Sequence, residues 1–376
     1  MPITIKKVEN RKELNMFVDF PNTLYKGNSY YVPKIFSDEV ATLDPKKNPA
    51  YEFSEAALYL AYKDGKLAGR VAAIVNNRAN EKWNHKEVRF GWIDFIDDRE
   101  VSRALIDKVI EFGKERGMDQ ITGPLGFTDF DPEGMLIEGY DKLSTLALIY
   151  NYPYYPEHLE AMGFTKAVDW HEFKINVPDQ VPERISRISN IVSAKYGFKV
   201  RKVTRSEVRK EGLGQKIFDA INECYGELFD FTPLTPKLIN KYVDAYLGII
   251  NMDFVTVIVN SNNELVAVGI TMPSITKALQ KCRGKLFPFG WYHILKSMYK
   301  ASEGCVELLL IAVLPEYRNQ GLMAMILNDL VPIYIKHGIK FGESNAELET
   351  NTKVQDTWKS FPTEQHKKRR AYTKSI

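Results

Sequence analysis

Apolar residues in the first part of this chain fall into short runs broken by polar turns. Ile3–Val8 reads as a strand and Arg11–Phe20 as a short helix. Pro21–Asn48, rich in Pro, Asn, Asp and aromatics, reads as irregular surface chain. Ala57–Tyr62 and Leu67–Val75 flank Asp64-Gly65, a strong hairpin signal, and Val88–Ile96 predicts a third strand. At Asp97-Asp98 the period changes. Val101, Leu105, Val109 and Phe112 recur at helical spacing, with an Asp to cap the start and Gly117 to close the end. A short strand at Gln120–Gly123 follows. Then come a Gly/Asp/Pro-rich loop (Gly126–Gly139), a helix ending near Ala161 and a strand at Val168–Ile175.

Asn176–Glu183 carries two prolines among polar residues and reads as a linker, which divides the chain into 1–178 and 179–376. The second half repeats the order of the first. Phe198–Val203 predicts a strand, and Gly214–Leu228 and Pro236–Leu247 predict helices. Phe254–Val259 and Leu265–Thr271 form another hairpin, and Pro273–Ser302 is an aromatic-rich insertion. Val306–Val313, Gly321–Lys336, Ile339–Ser344 and Thr350–Lys359 alternate strand and helix, before a terminal strand at Ala371–Lys374. A shared order of elements favours two tandem copies of one α/β fold with a mixed sheet.

Composition narrows the function. A chain of 376 residues exceeds what one core usually serves. Its formal charge of +3 is too near balance for a dedicated nucleic-acid binder, and no nucleic-acid partner is expected. The basic run His366–Arg370 reads as a solvated strand flank. Cys224, Cys282 and Cys305 are isolated, and there is no CxxC, HExxH or His/Cys cluster, so no metal is expected. No signal peptide is read at Met1–Lys6, and the longest apolar run, Leu308–Leu314, is short of the roughly 20 residues that span a bilayer. The expectation is a soluble cytoplasmic protein with no membrane partner.

The most informative stretch runs from Val306 to Ala324. A nearly continuous apolar run predicts a buried central strand, and Pro315 ends it. A polar turn then leads into a helix. A helix start leaves about four backbone N–H groups without partners and carries roughly half a positive charge. Gly321 lets a ligand approach the backbone, and Arg318 adds a cation suited to phosphate oxygens. Together these features match a pyrophosphate.

Val313-x-Pro315-x-Tyr317-Arg318-x-x-Gly321 resembles the pyrophosphate motif R/Q-x-x-G-x-G/A of the GNAT acyltransferases. Met323 stands where the motif has its second small residue, and Ala324 is one place late. The resemblance covers about residues 196–376. It implies acetyl-CoA or another acyl-CoA as co-substrate, held by Ile311, Ala312 and Val313 on the strand, by Arg318, Asn319, Gln320, Gly321, Leu322, Met323 and Ala324 at the turn, and by Asn351 beyond. The implied activity is N-acyl transfer, most simply of an acetyl group, to an amine on a small molecule or peptide by direct attack; a non-catalytic acyl-CoA sensor is the alternative. The first half is similar to the same fold in degenerate form. Its Asp97-Asp98 opening places carboxylates where phosphates would sit, although Asn151-x-x-Tyr154-Tyr155 resembles the family's later helix.

Acyl transfer needs a base, an oxyanion partner and an acid. Glu307, the carboxylate in the apolar strand, is the candidate base. The resemblance implies an oxyanion role for main-chain groups near Ile311–Val313. The family's tyrosine acid has Trp358 at the matching position, which leaves Tyr317 or Tyr372 as substitutes. Gly284–His293 reads either as packing against the sheet or as a pocket wall with His293 as another base. Asp129–Glu133 reads as a solvated loop, or as a grip for an amine.

Overall fold

The computed structural model describes residues 3–247 and 250–376. The opening Met1-Pro2 of the N-terminal reading lies outside them. The chain divides into two compact units, neither continuous in sequence. The first comprises Met1–His171, Thr276–His293 and His366–Ile376; the second comprises Glu172–Ile275 and Ile294–Gln365.

In chain order the first part holds β1 (Ile3–Lys7), α1 (Arg11–Leu24), α2 (Phe36–Leu43), β2 (Ser54–Lys63), β3 (Lys66–Asn76), α3 (Asn77–Trp83), β4 (Glu87–Phe95), α4 (Arg99–Lys114), β5 (Gln120–Gly123), β6 (Met135–Glu138), α5 (Tyr154–Ala161) and β7 (Thr165–Asn176). There follow α6 (Glu183–Tyr196), β8 (Lys199–Arg201), α7 (Arg205–Lys210), α8 (Leu213–Tyr225), α9 (Pro236–Tyr242), β9 (Val255–Val259), β10 (Leu265–Pro273), α10 (Thr276–Cys282) and α11 (Gly290–Lys300). The chain ends with β11 (Cys305–Val313), α12 (Leu322–Lys336), β12 (Phe341–Ser344), β13 (Glu347–Leu348), α13 (Thr352–Trp358) and β14 (Thr363–Ser375).

The first unit orders its sheet β1-β2-β3-β4-β5-β14, with β6 beside β14. The β2–β3 hairpin turns through Asp64 and Gly65, both at positive φ (54° and 73°), as a two-residue Asp-Gly turn requires. β4 runs antiparallel to β3 and parallel to β5, with α4 as the crossover. Val101, Leu105, Val109 and Phe112 bury the face of α4 that their spacing predicted. The second unit repeats this plan. Its order is β7-β12-β11-β10-β9-β8, with β11 antiparallel to β10, parallel to β12 and crossed over by α12.

Three sequence expectations need correction. Pro21–Asn48 is not irregular throughout: α1 continues through Pro21 to Leu24, and α2 follows. Proline lacks the N–H that would bond the carbonyl of Phe17. That carbonyl instead accepts from the Arg70 guanidinium at 2.8 Å, which removes the cost. Second, the sequence reading missed α6 just beyond the linker. Its Ile185, Ser189 and Val192 form one buried stripe. Third, the basic run is not a solvated flank. Lys367 and Arg369 are buried, and donate to the carbonyls of Leu143 (3.0 Å) and Ile149 (2.6 Å). Arg370 grips Asp169 with two hydrogen bonds (2.7 and 3.0 Å), and Lys368 reaches the same carboxylate at 2.9 Å. Burial opposes its charge, but these cations hold the Asp169 carboxyl well below its usual range. Local charge density reads as exposure in a sequence; here buried carbonyls and one carboxylate absorb it.

Asp169→Ala leaves two cations without their buried partner. The expected loss is about 3 kcal/mol in the unfolding of the first unit, read from a urea titration of the whole chain. An unmoved midpoint would show the cluster to be energetically neutral.

Candidate functional site

The parallel pairing of β11 with β12 runs only from Cys305–Phe341 to Leu308–Ser344. The Asn345 N–H donates to the Leu308 carbonyl (3.2 Å), and the pairing ends there. On its other side β11 stays paired with β10 as far as Val313, across an irregularity at Ile270/Thr271. The central strand therefore loses one neighbour halfway along. Val306 is fully buried, whereas Leu308, Leu309, Leu310 and Ile311 are half-buried. A strand that parts from one neighbour keeps a main-chain edge to which an extended chain could pair. In β4, its counterpart in the first unit, every residue is buried.

Tyr225, the last residue of α8, reaches this opening. Its hydroxyl donates to the Ile311 carbonyl (3.0 Å) and lies 3.4 Å from the Ile311 nitrogen. Burial pushes its pKa up to about 12; the bond to Ile311 partly offsets that, while Cys224 and Glu347 add to it. The neighbouring Cys224 thiol donates to the Val313 carbonyl (3.2 Å), and burial raises its pKa. Arg318 is exposed. It donates to the carbonyls of Val313 (3.4 Å) and Cys224 (3.2 Å), which fixes the guanidinium beside the strand end.

The turn after β11 gathers main-chain donors. Asn319 has φ 64° and Gly321 φ 82°, so the backbone reverses hand twice before α12 begins. No side chain caps α12, and its first bond to the turn is from the Ala324 N–H to the Gly321 carbonyl (3.0 Å). The N–H groups of Asn319, Gln320, Gly321, Leu322 and Met323 have no acceptor among the described residues. Gly321 is also required by packing: a Cβ there would lie 2.8 Å from Val192 and 3.1 Å from Ile188 on α6. Of the strand positions, Ala312 is buried and Val313 half-buried. Asn351 begins α13 but makes no capping bond, so its amide is left for another partner.

Glu307 is buried, takes a hydrogen bond from Ser274 (2.9 Å) and lies on the paired part of β11, before the opening. Tyr317 lies edge-on to Phe198, and its hydroxyl meets the Asn260 amide at 3.4 Å. Tyr372 belongs to the first unit, bonded to Glu160 (2.9 Å). Asp131 caps its own loop by accepting from the Phe127 and Thr128 N–H groups.

The sequence reading did not find Glu347. One oxygen accepts from the Trp358 indole (2.8 Å), and the other is buried without a hydrogen-bond partner. Burial raises its pKa from 4.5 to about 7, with Trp358 and the nearby Ser344 hydroxyl opposing the shift. It is close enough to bear electrostatically on Tyr225. The signal available in the sequence was Trp358 itself, which stands at a site position and brings its N–H to a carboxylate. Glu347 sits in an acidic stretch with Glu343 and Glu349 and has no pattern of its own.

The first unit closes the corresponding places. Asp98 caps α4 by accepting from the Glu100 and Val101 N–H groups, and pairs with Lys63. Asp94, on β4, receives Tyr25 (2.7 Å), Tyr155 (3.2 Å) and Arg70 (2.8 Å) in one buried cluster. Side chains fill what is left open in the other unit.

No protein-family model matches the chain. It is 25% identical over 372 residues to protein YghO of Escherichia coli (strain K12), across 98% of this chain and 94% of that one. It is 24% identical over 298 residues to the bacterial ceramide synthase of Caulobacter vibrioides (strain NA1000 / CB15N), across 78% of this chain and 76% of that protein. Among solved structures, a tandem GNAT protein from the clavulanic acid biosynthesis pathway superposes with a TM-score of 0.59 at 12% identity, covering 100% of this chain and 98% of that one. The chain carries the tandem GNAT fold. Within that tandem GNAT fold, β11, α12 and α13 of the second unit supply an open strand, free main-chain donors and an uncapped asparagine, while the first unit is plugged.

Inorganic pyrophosphate, followed by amide chemical shifts, should perturb Asn319–Met323 most strongly. Arg318→Ala should weaken that binding about tenfold, the effect of roughly 1.4 kcal/mol. Shifts centred on the Asp98 end of α4 would move the anion site to the other unit.

Proposed function

We propose that the second unit binds an acyl-CoA and transfers its acyl group to an amine. The observation that carries this reading is the parting of β11 from β12 after Leu308, with the unpartnered N–H groups of Asn319–Met323 beyond the strand's end. A diphosphate fits those donors and the positive end of α12, with Arg318 beside it and Gly321, Leu322, Met323 and Ala324 opening the helix. An extended amide-bearing arm suits the exposed edge at Ile311–Val313, and the Asn351 amide can meet it.

For the chemistry, Glu347 serves better than Glu307. Its pKa near 7 lets it take a proton from an ammonium at neutral pH, and one of its oxygens is unengaged. Glu307 is held by Ser274 on the paired part of β11 and positions the strand. The freed amine attacks the thioester carbonyl and a C–N bond forms; the oxyanion takes the Ile311 N–H in place of the Tyr225 hydroxyl that faces it at 3.4 Å. The C–S bond then breaks, the Tyr225 hydroxyl, protonated at neutral pH, gives its proton to the thiolate, and the second proton that the new amide nitrogen sheds returns to Tyr225. This assigns the acid to Tyr225 rather than Tyr317, whose hydroxyl is turned to Asn260.

One relative is named a ceramide synthase, and ceramide is an amide of a long-chain amino alcohol. That name favours a long-chain amine as acceptor over a small polar amine or peptide. Free thiols at Cys224, Cys282 and Cys305 support a reducing, cytoplasmic setting.

Thiol release from acyl-CoA, dependent on a long-chain amino alcohol, is the expected activity. Glu347→Gln should lower kcat by at least about 100-fold while acyl-CoA still binds. In the native protein kcat/KM should rise with pH through about 7 and then level, since the carboxylate is the active form. Binding without acceptor-dependent turnover would show a sensor instead. A second readout concerns stability. A carboxyl whose folded pKa is raised from 4.5 to about 7 favours the folded state fully below 4.5, and that contribution is lost as pH climbs through 7. The stability difference between native protein and Glu347→Gln should narrow or change sign across that window; a constant difference would show that Glu347 titrates normally.

A further inference from the structure

Gly284–His293 was read from sequence as packing or a pocket wall. Gly284 and Gly290 are buried, but the large side chains between and after them are exposed. Phe287 is 83% exposed and Phe289 71%, with Trp291, Tyr292, Leu295 and Tyr299 also exposed. Surface aromatics scattered singly need no explanation, but these lie together on one turn and the helix that follows it.

The helix departs from ordinary surface patterning. Ile294, Ser297 and Met298 form its buried stripe, at i, i+3 and i+4. Trp291, Leu295 and Tyr299 repeat at i, i+4 and i+8 on exposed positions, where a surface helix normally carries charge. α11 carries apolar residues on its inner stripe and on an outer one.

The surroundings are basic. Between Pro273 and Glu303 there is no Asp or Glu, but there are Lys277, Lys281, Arg283, Lys285, Lys296 and Lys300, all exposed. Lys285 also meets Asp19 (3.6 Å) at a cleft of about 540 Å³, which Arg11 and Lys12 line as well. The segment is anchored firmly. Gln280 donates to the carbonyls of Ser29 (2.8 Å) and Tyr31 (2.9 Å), and Phe36 N–H donates to the Gly284 carbonyl (2.9 Å). Gly284 sits at φ 71°, and a Cβ there would lie 2.0 Å from the Lys34 carbonyl oxygen. A fixed base therefore presents the aromatic tip.

We propose that residues 281–300 dock this protein on the surface of an anionic lipid bilayer, with Phe287, Phe289 and Trp291 entering the headgroup boundary and the surrounding cations meeting lipid phosphates. Aromatic rings with flanking Lys and Arg suit that boundary, where one side is apolar and the other charged. A rim in which exposed cations outnumber the acid that Lys285 meets, Asp19, selects an anionic surface over a second copy of this chain, because two copies would bring like charges together. No helix among the described residues is long and apolar enough to cross a membrane, so the contact is peripheral. The proposal replaces the sequence expectation of no membrane partner. It does not depend on the acyltransferase reading, and its test uses no turnover.

The test is co-flotation of the whole protein with vesicles of phosphatidylcholine alone and of phosphatidylcholine with about one third phosphatidylglycerol. Binding is expected to the anionic vesicles only, and to fall steeply in 0.5 M salt. The combined change Phe287→Ser, Phe289→Ser and Trp291→Ser should weaken it at least about tenfold. Lys281→Glu with Arg283→Glu and Lys285→Glu should weaken it by more than about 100-fold, since each cation near such a surface contributes roughly a fivefold factor. Unchanged thermal unfolding of both variants confirms that exposed positions were altered without loss of fold. Three results would overturn the proposal: no flotation of the native protein, equal flotation with neutral vesicles, or a native dimer in sedimentation that either variant dissolves.

Discussion

The parting of two parallel strands governs this structure. β11 and β12 share hydrogen bonds for four residues and then separate at Leu308, while β11 keeps its other neighbour to Val313. A strand abandoned on one edge has main-chain groups and side chains that nothing in the sheet satisfies. Tyr225 takes up part of that deficit by bonding both main-chain groups of Ile311, and Arg318 and Cys224 take up the carbonyl of Val313. The remainder is a main-chain edge without a sheet neighbour, leading to a turn rich in unused donors. Open edge and anion cradle are two consequences of one loss of pairing.

The same plan, run twice, gives one open site and one closed site because a few side chains differ. In the first unit Asp98 spends its carboxylate on the donors that Gly321 leaves bare at α12. The Asp94 cluster with Tyr25, Tyr155 and Arg70 occupies the region beside β4, and its polar groups satisfy one another. Burial raises the pKa of both tyrosines and keeps them neutral, so the cluster is a plug and offers no proton at neutral pH. In the second unit the analogous burial falls on Glu347. Burial outweighs what Trp358 and Ser344 offer this carboxyl, and its proton affinity rises toward neutrality. Satisfied polar burial yields stability; incomplete polar burial yields a titratable group.

The exposed aromatic tip carries the same logic outward. Its inner stripe is paid for by burial, its outer stripe is not, and the cations around it have no acidic neighbour in the segment. Such a surface is costly for a molecule alone in water and is relieved by an apolar, negatively charged boundary.

Much of this architecture was legible along the chain, because local chemistry set it. Asp64-Gly65 specified a hairpin, the spacing from Val101 to Phe112 specified a buried helical face, and Pro315 with Gly321 marked the turn from central strand to helix. The resemblance carried by Arg318 and Gly321 gave the fold. What the sequence alone did not determine depends on residues far apart in the chain. Pro21 reads as a helix end until Arg70 supplies the missing donor, and the basic run from His366 reads as solvated until Asp169 and buried carbonyls surround it. Glu347 has an ordinary carboxylate's sequence and an unusual carboxylate's environment. Hydrogen-bond partners and burial are tertiary quantities, so proton affinity and exposure were decided only when the chain folded.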